Sequence, residues 1–217
     1  MTRQITRPSP AMPPTLRRPC GVMAVMALLG FGVLALRYAG SGGPGRVDNW
    51  ALGQLGGTLF TPSPLRTFGL FITRFGEPDR AAALVGIVVV LCLLARRWRL
   101  AVLAVAGPGV TVVASTVLKP VVGRTVDTGE LAFPSGHTAF VTALALVVGL
   151  LVVAVLRLGR LGGVLVVAGL VAVAGAAMSW SLTVLYYHYA TDTLGGFLLA
   201  LAVVPAVAWA IDRVTVS

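Results

Sequence analysis

Six long apolar runs restrict what this chain of 217 residues can fold into. None of them contains a charged residue, and they cover Cys20–Leu36, Ala81–Ala95, Leu100–Leu118, Thr138–Leu156, Leu161–Leu182 and Thr193–Ile211. A helix rises about 1.5 Å per residue, so runs of this length match a hydrocarbon layer about 30 Å thick. Lipid satisfies no backbone polar group, and the runs do not alternate as barrel strands would. We therefore predict an all-α polytopic membrane protein with six transmembrane helices.

The composition agrees with this class of protein. Hydrophobic residues make up 57% of the chain and charged residues 11%, whereas about 25% of the residues in a soluble domain are charged. This balance excludes a disordered chain, a disulfide scaffold and most soluble enzymes. The two cysteines, Cys20 and Cys92, lie inside apolar runs, which is typical of buried thiols. The second run is the shortest, and we expect Arg80 and Arg96 to lengthen it by snorkelling.

The net charge of +10 is unevenly distributed between the connecting segments. With six spans, one side of the membrane receives a single acid, Asp212, and ten basic residues: Arg3, Arg7, Arg17, Arg18, Arg96, Arg97, Arg99, Arg157, Arg160 and Arg213. The positive-inside rule then places both termini in the cytoplasm, in a plasma (inner) membrane. Because these charges are scattered over short loops, with no domain to present them, we expect no binding of nucleic acid.

The same layout divides the chain into three parts. Residues 1–19 hold five prolines and are predicted to be a disordered cytoplasmic tail, residues 20–212 a six-helix membrane domain, and residues 213–217 a second tail. The first run also resembles a signal peptide, but its length and the following Arg37 favour a retained helix. The outer loop, about residues 40–80, contains an amphipathic stretch at Leu65–Phe75. We expect either a helix in the membrane interface or a loop packed over the bundle.

Both histidines of the chain fall at the outer ends of spans. His137 follows Pro134, Ser135 and Gly136 and precedes an apolar run, which is typical of a helix start. Ser135 suits the N-cap position, and Gly136 leaves backbone N–H groups accessible to an anion such as phosphate. A plain helix cap with an incidental histidine would give the same pattern.

The second histidine, His188, stands four residues before Asp192. If this stretch is helical, the two side chains share a face, and the carboxylate would make the imidazole more nucleophilic. A purely structural His–Asp pair and a metal site are the alternatives, the latter weakened by the absence of an HExxH motif. Lys119 and Arg124, by themselves ordinary interfacial cations, are predicted to lie at the same membrane face.

The ordered set of Lys119 and Arg124, then Pro-Ser-Gly-His, then His-x-x-x-Asp resembles the type 2 phosphatidic acid phosphatase family of integral-membrane lipid phosphatases. The resemblance covers about Leu118–Gly196. It implies that His188 is the nucleophile that forms a phosphohistidine, that Asp192 orients it, and that His137 protonates the leaving group. It also implies a phosphate-binding set without metal or cofactor, formed by Lys119, Ser135 and Gly136, with Arg124 substituting for a family arginine.

Two positions depart from the family pattern. Where the family usually has phosphate-binding arginines, this chain has Val126 and Leu182. Arg74 or Arg80 of the outer loop is a candidate replacement. We expect a lipid phosphate phosphatase acting on a polyprenyl phosphate or diphosphate of cell-wall synthesis, phosphatidic acid, phosphatidylglycerol phosphate or a phosphorylated polyprenyl sugar. A transferase of the same fold and a non-catalytic lipid-phosphate carrier or flippase remain open, and the sequence does not define the oligomeric state.

Overall fold

The computed structural model describes residues 9–55 and 63–214, and this part of the chain is helical. It forms eight α-helices: α1 (Arg17–Tyr38), α2 (Arg46–Leu55), α3 (Pro64–Thr73), α4 (Pro78–Leu94), α5 (Trp98–Val122), α6 (Gly136–Leu156), α7 (Arg160–Val184) and α8 (Ala190–Val214). Within the described residues there is no strand, only an isolated bridge between Thr125 and Leu131. The all-α prediction is confirmed for these residues.

Each of the six apolar runs forms a helix, but they differ in length. Among the described residues, five segments are long and apolar enough to cross a membrane: Pro14–Tyr38, Trp98–Val122, Gly136–Leu156, Arg160–Val184 and Ala190–Val214. The remaining run, Ala81–Ala95, lies mostly in α4, which has only 17 residues. The structure therefore supports a multi-pass membrane protein with five candidate spans, and the prediction of six spans is not confirmed.

Helix α6 lies at the centre of the bundle and packs against α5, α7 and α8. Its side chains Leu146, Val147 and Leu150 are completely buried. Gly149 allows α7 to approach closely, because a Cβ at this position would lie 3.2 Å from the Cα of Val167. This central placement fixes the first residues of α6, which carry the Ser-Gly-His sequence.

Two of the basic residues expected on the cytoplasmic side lie at one end of the bundle, beside the carboxylate of Asp212. Arg99 lies 3.6 Å and Arg17 3.8 Å from this carboxylate, and the backbone N–H groups of Ala11 and Met12 donate hydrogen bonds to it at 2.7 and 3.2 Å. Residues 9–19 of the predicted disordered tail are thus ordered by contacts with α8, while residues 1–8 lie outside the described part.

The outer loop contributes the two short helices α2 and α3 to the other end of the bundle. Helix α3 occupies most of the predicted amphipathic stretch and packs on α7, where Ser181 donates a 2.6 Å hydrogen bond to the carbonyl of Gly69. Phe68 and Phe71 are 55% and 53% exposed, although the ring centroid of Phe68 lies 5.9 Å from that of Trp180 on α7. Placement of these aromatic side chains in the membrane interface remains a prediction.

Candidate active site

The predicted site residues meet at the end of the bundle opposite Asp212. Lys119 lies in the last turn of α5, Gly136 and His137 begin α6, and Asp192 lies in the first turn of α8. His188 belongs to the tight turn that joins α7 to α8. Three helix ends and one turn therefore bring together residues that are up to 73 positions apart in the sequence.

The start of α6 has the predicted cap. Ser135 is completely buried, and its Oγ accepts hydrogen bonds from the backbone N–H of Thr138 at 3.4 Å and from the Thr138 hydroxyl at 3.3 Å. The Ser135 N–H donates to the carbonyl of Asp192 at 3.0 Å. The Ser135 hydroxyl is thus engaged in capping, whereas Gly136 and His137 beside it are partly exposed.

A close contact between helix backbones locks this start against α8. A Cβ at Gly196 would clash with the carbonyl oxygen of Ser135 and would lie 3.1 Å from the backbone nitrogen of Ala139. At the adjacent position, a Cβ on Gly195 would overlap the ring of Phe133. The paired glycines therefore let the Ser-Gly-His segment and the His-x-x-x-Asp segment lie directly against each other.

His188 and Asp192 are brought together by a turn rather than by a helical face. Tyr186 adopts a left-handed conformation, with φ of 58°, and α8 begins only at Ala190. Nδ1 of His188 lies 3.8 Å from Oδ2 of Asp192, which is longer than a hydrogen bond. The same Oδ2 accepts the N–H of Tyr189 at 3.0 Å, so the carboxylate is held in place. The Nδ1 of His188 is buried and has no hydrogen-bond partner among the described residues.

Arg124 is completely buried between two carboxylates. Its Nη1 lies 2.7 Å from Oδ1 of Asp192 and donates to Oγ1 of Thr191 at 2.6 Å, while its Nη2 lies 2.6 Å from Oδ2 of Asp48. Both terminal nitrogens thus contact protein groups. The structure brings Arg124 next to the catalytic candidates through Asp192, and phosphate contact by this side chain remains a prediction.

Asp48 is a component of the site that the sequence did not suggest. Its carboxylate is completely buried and accepts the N–H groups of Gly45 at 2.9 Å and of Thr191 at 2.9 Å, besides pairing with Arg124. In the sequence it is an unremarkable acid in the first turn of a short polar helix, 76 positions from its partner. No local pattern distinguishes such a residue from an exposed one.

Two aromatic rings complete the surroundings of Arg124. The guanidinium carbon lies 4.0 Å from the ring centroid of Tyr38 and 5.0 Å from that of Tyr189. The hydroxyl of Tyr189 donates to Asp127 at 2.8 Å. Burial, followed by this hydrogen bond to a carboxylate, raises the pKa of Tyr189 to about 12, so the phenol stays protonated and keeps donating at neutral pH.

His137 lies within electrostatic range of His188, Lys119 and Glu77. Its ring packs against Gly76 in the 3-10 turn that follows α3, and a Cβ on Gly76 would lie 2.8 Å from Cγ of the ring. Lys119 in turn interacts with Asp192 and Glu130. The two histidines and the lysine of the predicted set therefore form one electrostatic cluster.

A cavity of about 350 Å³ opens beside His188. Its lining includes Arg66 from α3 and Val126 and Asp127 from the loop after α5. His137 does not line this cavity. A larger cavity, about 700 Å³, lies between α1 and α8 near Asp212, away from both histidines.

The departures from the family pattern have different surroundings. Leu182 is 1% exposed in the interior, so this position presents no cation to the site, whereas Val126 lines the cavity beside His188. Arg74 and Arg80, the replacements expected from the sequence, do not line it; Arg66 does. In residues 9–55 and 63–214, no group of three His, Cys, Asp or Glu side chains is arranged to hold a metal ion.

A bundle of membrane-length helices with a His–Asp pair, a second histidine and a lysine at one end defines the class of integral-membrane enzymes that the sequence resembles. The PAP2 superfamily model matches residues 81–215, more than half of the chain, and the chain belongs to this superfamily.

The fold is also similar to that of a solved membrane protein. The crystal structure of a transmembrane PAP2-type phosphatidylglycerolphosphate phosphatase from Bacillus subtilis superposes with a TM-score of 0.68 at 21% sequence identity, covering 88% of this chain and 96% of that one. At this identity the likeness concerns the fold. No curated protein matches the sequence.

Proposed function

We propose that this protein is a membrane lipid phosphatase that hydrolyses a phosphomonoester or pyrophosphate through a phosphohistidine intermediate. The observation that carries the proposal is the placement of His188 beside the buried carboxylate of Asp192, with His137 in electrostatic range, at one end of a bundle of apolar helices. Membership of the PAP2 superfamily supports the same chemistry.

In the first step, Nε2 of His188 attacks phosphorus and the bond from phosphorus to the lipid oxygen breaks. Nδ1 is the nitrogen that faces Asp192, which leaves Nε2 to react, and the carboxylate stabilises the positive charge that develops on the ring. His137 donates its proton to the departing oxygen, so the lipid leaves as an alcohol, or as a monophosphate when the substrate is a diphosphate. The distance of 3.8 Å would shorten once substrate is bound, as catalytic hydrogen bonds often do.

In the second step, a water molecule attacks the phosphohistidine. His137, now neutral, accepts a proton from this water, the nitrogen–phosphorus bond breaks, and inorganic phosphate is released. Lys119 and the N–H groups at the start of α6 would stabilise the charge on the phosphoryl oxygens, with no requirement for metal or cofactor. Both histidines return to their initial protonation states.

The proposed orientation puts this chemistry on the extracytoplasmic side of the plasma membrane, with both termini in the cytoplasm. The meeting of Arg17 and Arg99 at Asp212, opposite the histidines, supports it, because the residues expected to be cytoplasmic share one end of the bundle. The substrate would then be a lipid of the outer leaflet: a polyprenyl phosphate or diphosphate, phosphatidic acid, phosphatidylglycerol phosphate or a phosphorylated polyprenyl sugar.

The test is phosphate release from a panel of these lipids by the purified full chain in detergent, with EDTA present. We expect turnover by the wild type and none by His188→Ala, whose melting temperature should match the wild type. Acid-labile radioactive phosphate should label the wild type after brief exposure to phosphorus-labelled lipid and should not label the variant. Equal turnover in His188→Ala would exclude this nucleophile, and dependence on an added metal would exclude the metal-free mechanism.

One other candidate function is that of a non-catalytic carrier or flippase for lipid phosphates. It is favoured by the presence of Val126 and Leu182 at positions where the family usually has arginine. That protein would bind the lipids of the panel, release no phosphate from any of them, and retain binding in a variant lacking both histidines. A transferase of the same fold would use the same residues and would pass phosphate to an added alcohol, which analysis of the products would detect.

A further inference from the structure

The cavity beside His188 lacks the cation that the family pattern would place there. Val126 occupies the position of a family arginine and lines this cavity with an apolar side chain. Leu182, the second departure, is buried in the interior. A dianionic phosphate approaching Nε2 of His188 would therefore meet fewer cations than the family pattern supplies.

Arg124 does not fill this deficit in the structure. Its terminal nitrogens lie 2.6 and 2.7 Å from the carboxylates of Asp48 and Asp192, and the side chain is completely buried. To bind phosphate it would have to give up one of these buried ion pairs, which would leave a buried carboxylate uncompensated.

Arg66 is the one lysine or arginine among the described residues that line the cavity. It is exposed, and between described residues its guanidinium forms no ion pair. Asp127, an acid that also lines the cavity, accepts a hydrogen bond from the hydroxyl of Tyr189 at 2.8 Å. An arginine that forms no ion pair with the described residues and the candidate nucleophile thus line one cavity of about 350 Å³.

The position of Arg66 is fixed by the way α3 is attached to the bundle. Its backbone N–H donates to Oγ of the N-cap residue Ser63 at 3.2 Å, which orders the first turn of the helix. One turn further on, the carbonyl of Gly69 accepts the 2.6 Å hydrogen bond from the buried hydroxyl of Ser181. A Cβ on Gly69 would lie 3.6 Å from Cγ of Leu185, which itself lines the cavity, so α3 lies directly against the turn that carries His188.

We propose that Arg66 is a substrate-binding residue that takes the place of the arginine absent at position 126. Its guanidinium binds the non-bridging oxygens of the lipid phosphate at His188, because a planar guanidinium can donate two parallel hydrogen bonds to two phosphate oxygens. This inference rests on the proposed function for the identity of the anion. It assigns to the outer-loop helix α3 a role in recognising the phosphate head group.

The test compares Arg66→Ala and Arg66→Lys with two other arginine variants. Arg46→Ala removes an exposed arginine at the start of α2 and serves as the matched control, and Arg74→Ala tests the rival position. The double variant Arg66→Ala/Val126→Arg restores a cation at another position in the lining of the same cavity. Binding of inorganic phosphate to the full chain in detergent, followed by phosphorus NMR, and turnover of the lipid panel are both measured.

We expect Arg66→Ala to lose phosphate affinity and kcat/KM by about 10- to 100-fold, as for a charge-assisted contact. Arg66→Lys should retain part of both, the double variant should recover part of both, and the Arg46 and Arg74 variants should stay within about twofold of the wild type. Since Arg66 is exposed, melting temperatures should not change. Unchanged phosphate binding in Arg66→Ala, loss without recovery in the double variant, or loss in Arg74→Ala instead would overturn the inference.

The two proposals fail in different ways. A wild type that binds phosphate through Arg66 but releases none from any lipid overturns the phosphatase and leaves the Arg66 site intact. A wild type that turns over lipid at the same rate as Arg66→Ala overturns the Arg66 site and leaves the phosphatase intact. A wild type that binds no inorganic phosphate overturns the Arg66 site as well.

Discussion

Nη1 of Arg124 lies 2.7 Å from Oδ1 of Asp192, and both side chains are completely buried. The other oxygen of this carboxylate faces Nδ1 of His188 at 3.8 Å, so Asp192 lies between Arg124 and the candidate nucleophile. Asp48 holds the far side of the guanidinium at 2.6 Å. Asp48, Arg124, Asp192 and His188 therefore follow one another in a continuous series of side-chain contacts, through which we expect Arg124 to position the candidate nucleophile.

Removing Arg124 should destabilise the protein strongly. The substitution Arg124→Leu leaves two buried carboxylates without their cation, and such a loss costs about 3–5 kcal/mol. We expect a large fall in melting temperature, measured in detergent by intrinsic fluorescence. Arg46→Leu, an exposed arginine at the start of α2, should change stability by no more than about 0.5 kcal/mol. Equal melting temperatures for Arg124→Leu and Arg46→Leu would show that the buried network contributes nothing to stability.

The milder substitution Asp48→Asn separates stability from positioning. It keeps the volume of the side chain and one accepting oxygen but removes one of the two charges that balance Arg124. We expect kcat to fall while KM for the lipid changes little, because Asp48 does not touch substrate. A parallel fall in melting temperature and turnover, without any change in the pH profile of kcat, would indicate a structural role alone.

The helices and the histidine motifs were predictable because their signals are local. An apolar run such as Thr138–Leu156 specifies a buried helix by its length, and Ser135 capped α6 as its sequence context indicated. The pairing of His188 with Asp192 was also anticipated, although a turn, not a helical face, produces it. Asp48 and Arg66 could not be found in this way, because both reach the site from the outer loop through contacts with α7, α8 and Arg124 that leave no periodic pattern.

The contact between Gly76 and His137 predicts an effect on catalysis with little effect on folding. A methyl group in Gly76→Ala would lie 2.8 Å from Cγ of the imidazole, so the ring has to move away. A displacement of about 1 Å of a catalytic group reduces turnover on the order of 100-fold. We expect such a loss in kcat for lipid hydrolysis, with a nearly unchanged melting temperature.

Gly43→Ala is the control for this substitution, since it lies in the same outer loop and a Cβ there meets no atom within 4 Å. It should retain wild-type turnover. Retained turnover in Gly76→Ala as well would contradict the placement of His137 against this turn.

The crossing of α6 and α8 predicts a large difference between two helical glycines. In Gly196→Ala the new methyl group meets the backbone oxygen of Ser135, which cannot rotate away, so the helices must separate. Overpacking of this kind costs about 1–3 kcal/mol or more. Gly169→Ala, in the exposed face of α7, meets nothing within 4 Å and should raise stability by about 0.5–1 kcal/mol through helix propensity. We expect the melting temperature to fall in Gly196→Ala and to rise in Gly169→Ala. Equal melting temperatures in the two variants would contradict the observed crossing of α6 and α8.

A buried hydroxyl contributes to the attachment of α3 to α7. Ser181→Ala removes the 2.6 Å hydrogen bond to the carbonyl of Gly69 and leaves that acceptor unsatisfied, at a cost of about 1–3 kcal/mol. Because this cost falls on one short helix, we expect amide hydrogen exchange over residues 64–73 to accelerate on the order of tenfold, while the core amides of α6 keep their protection. Ser179→Ala, two residues earlier on α7, should leave the exchange of α3 unchanged. Uniform acceleration in both helices would show that Ser181 supports the whole bundle rather than the position of α3.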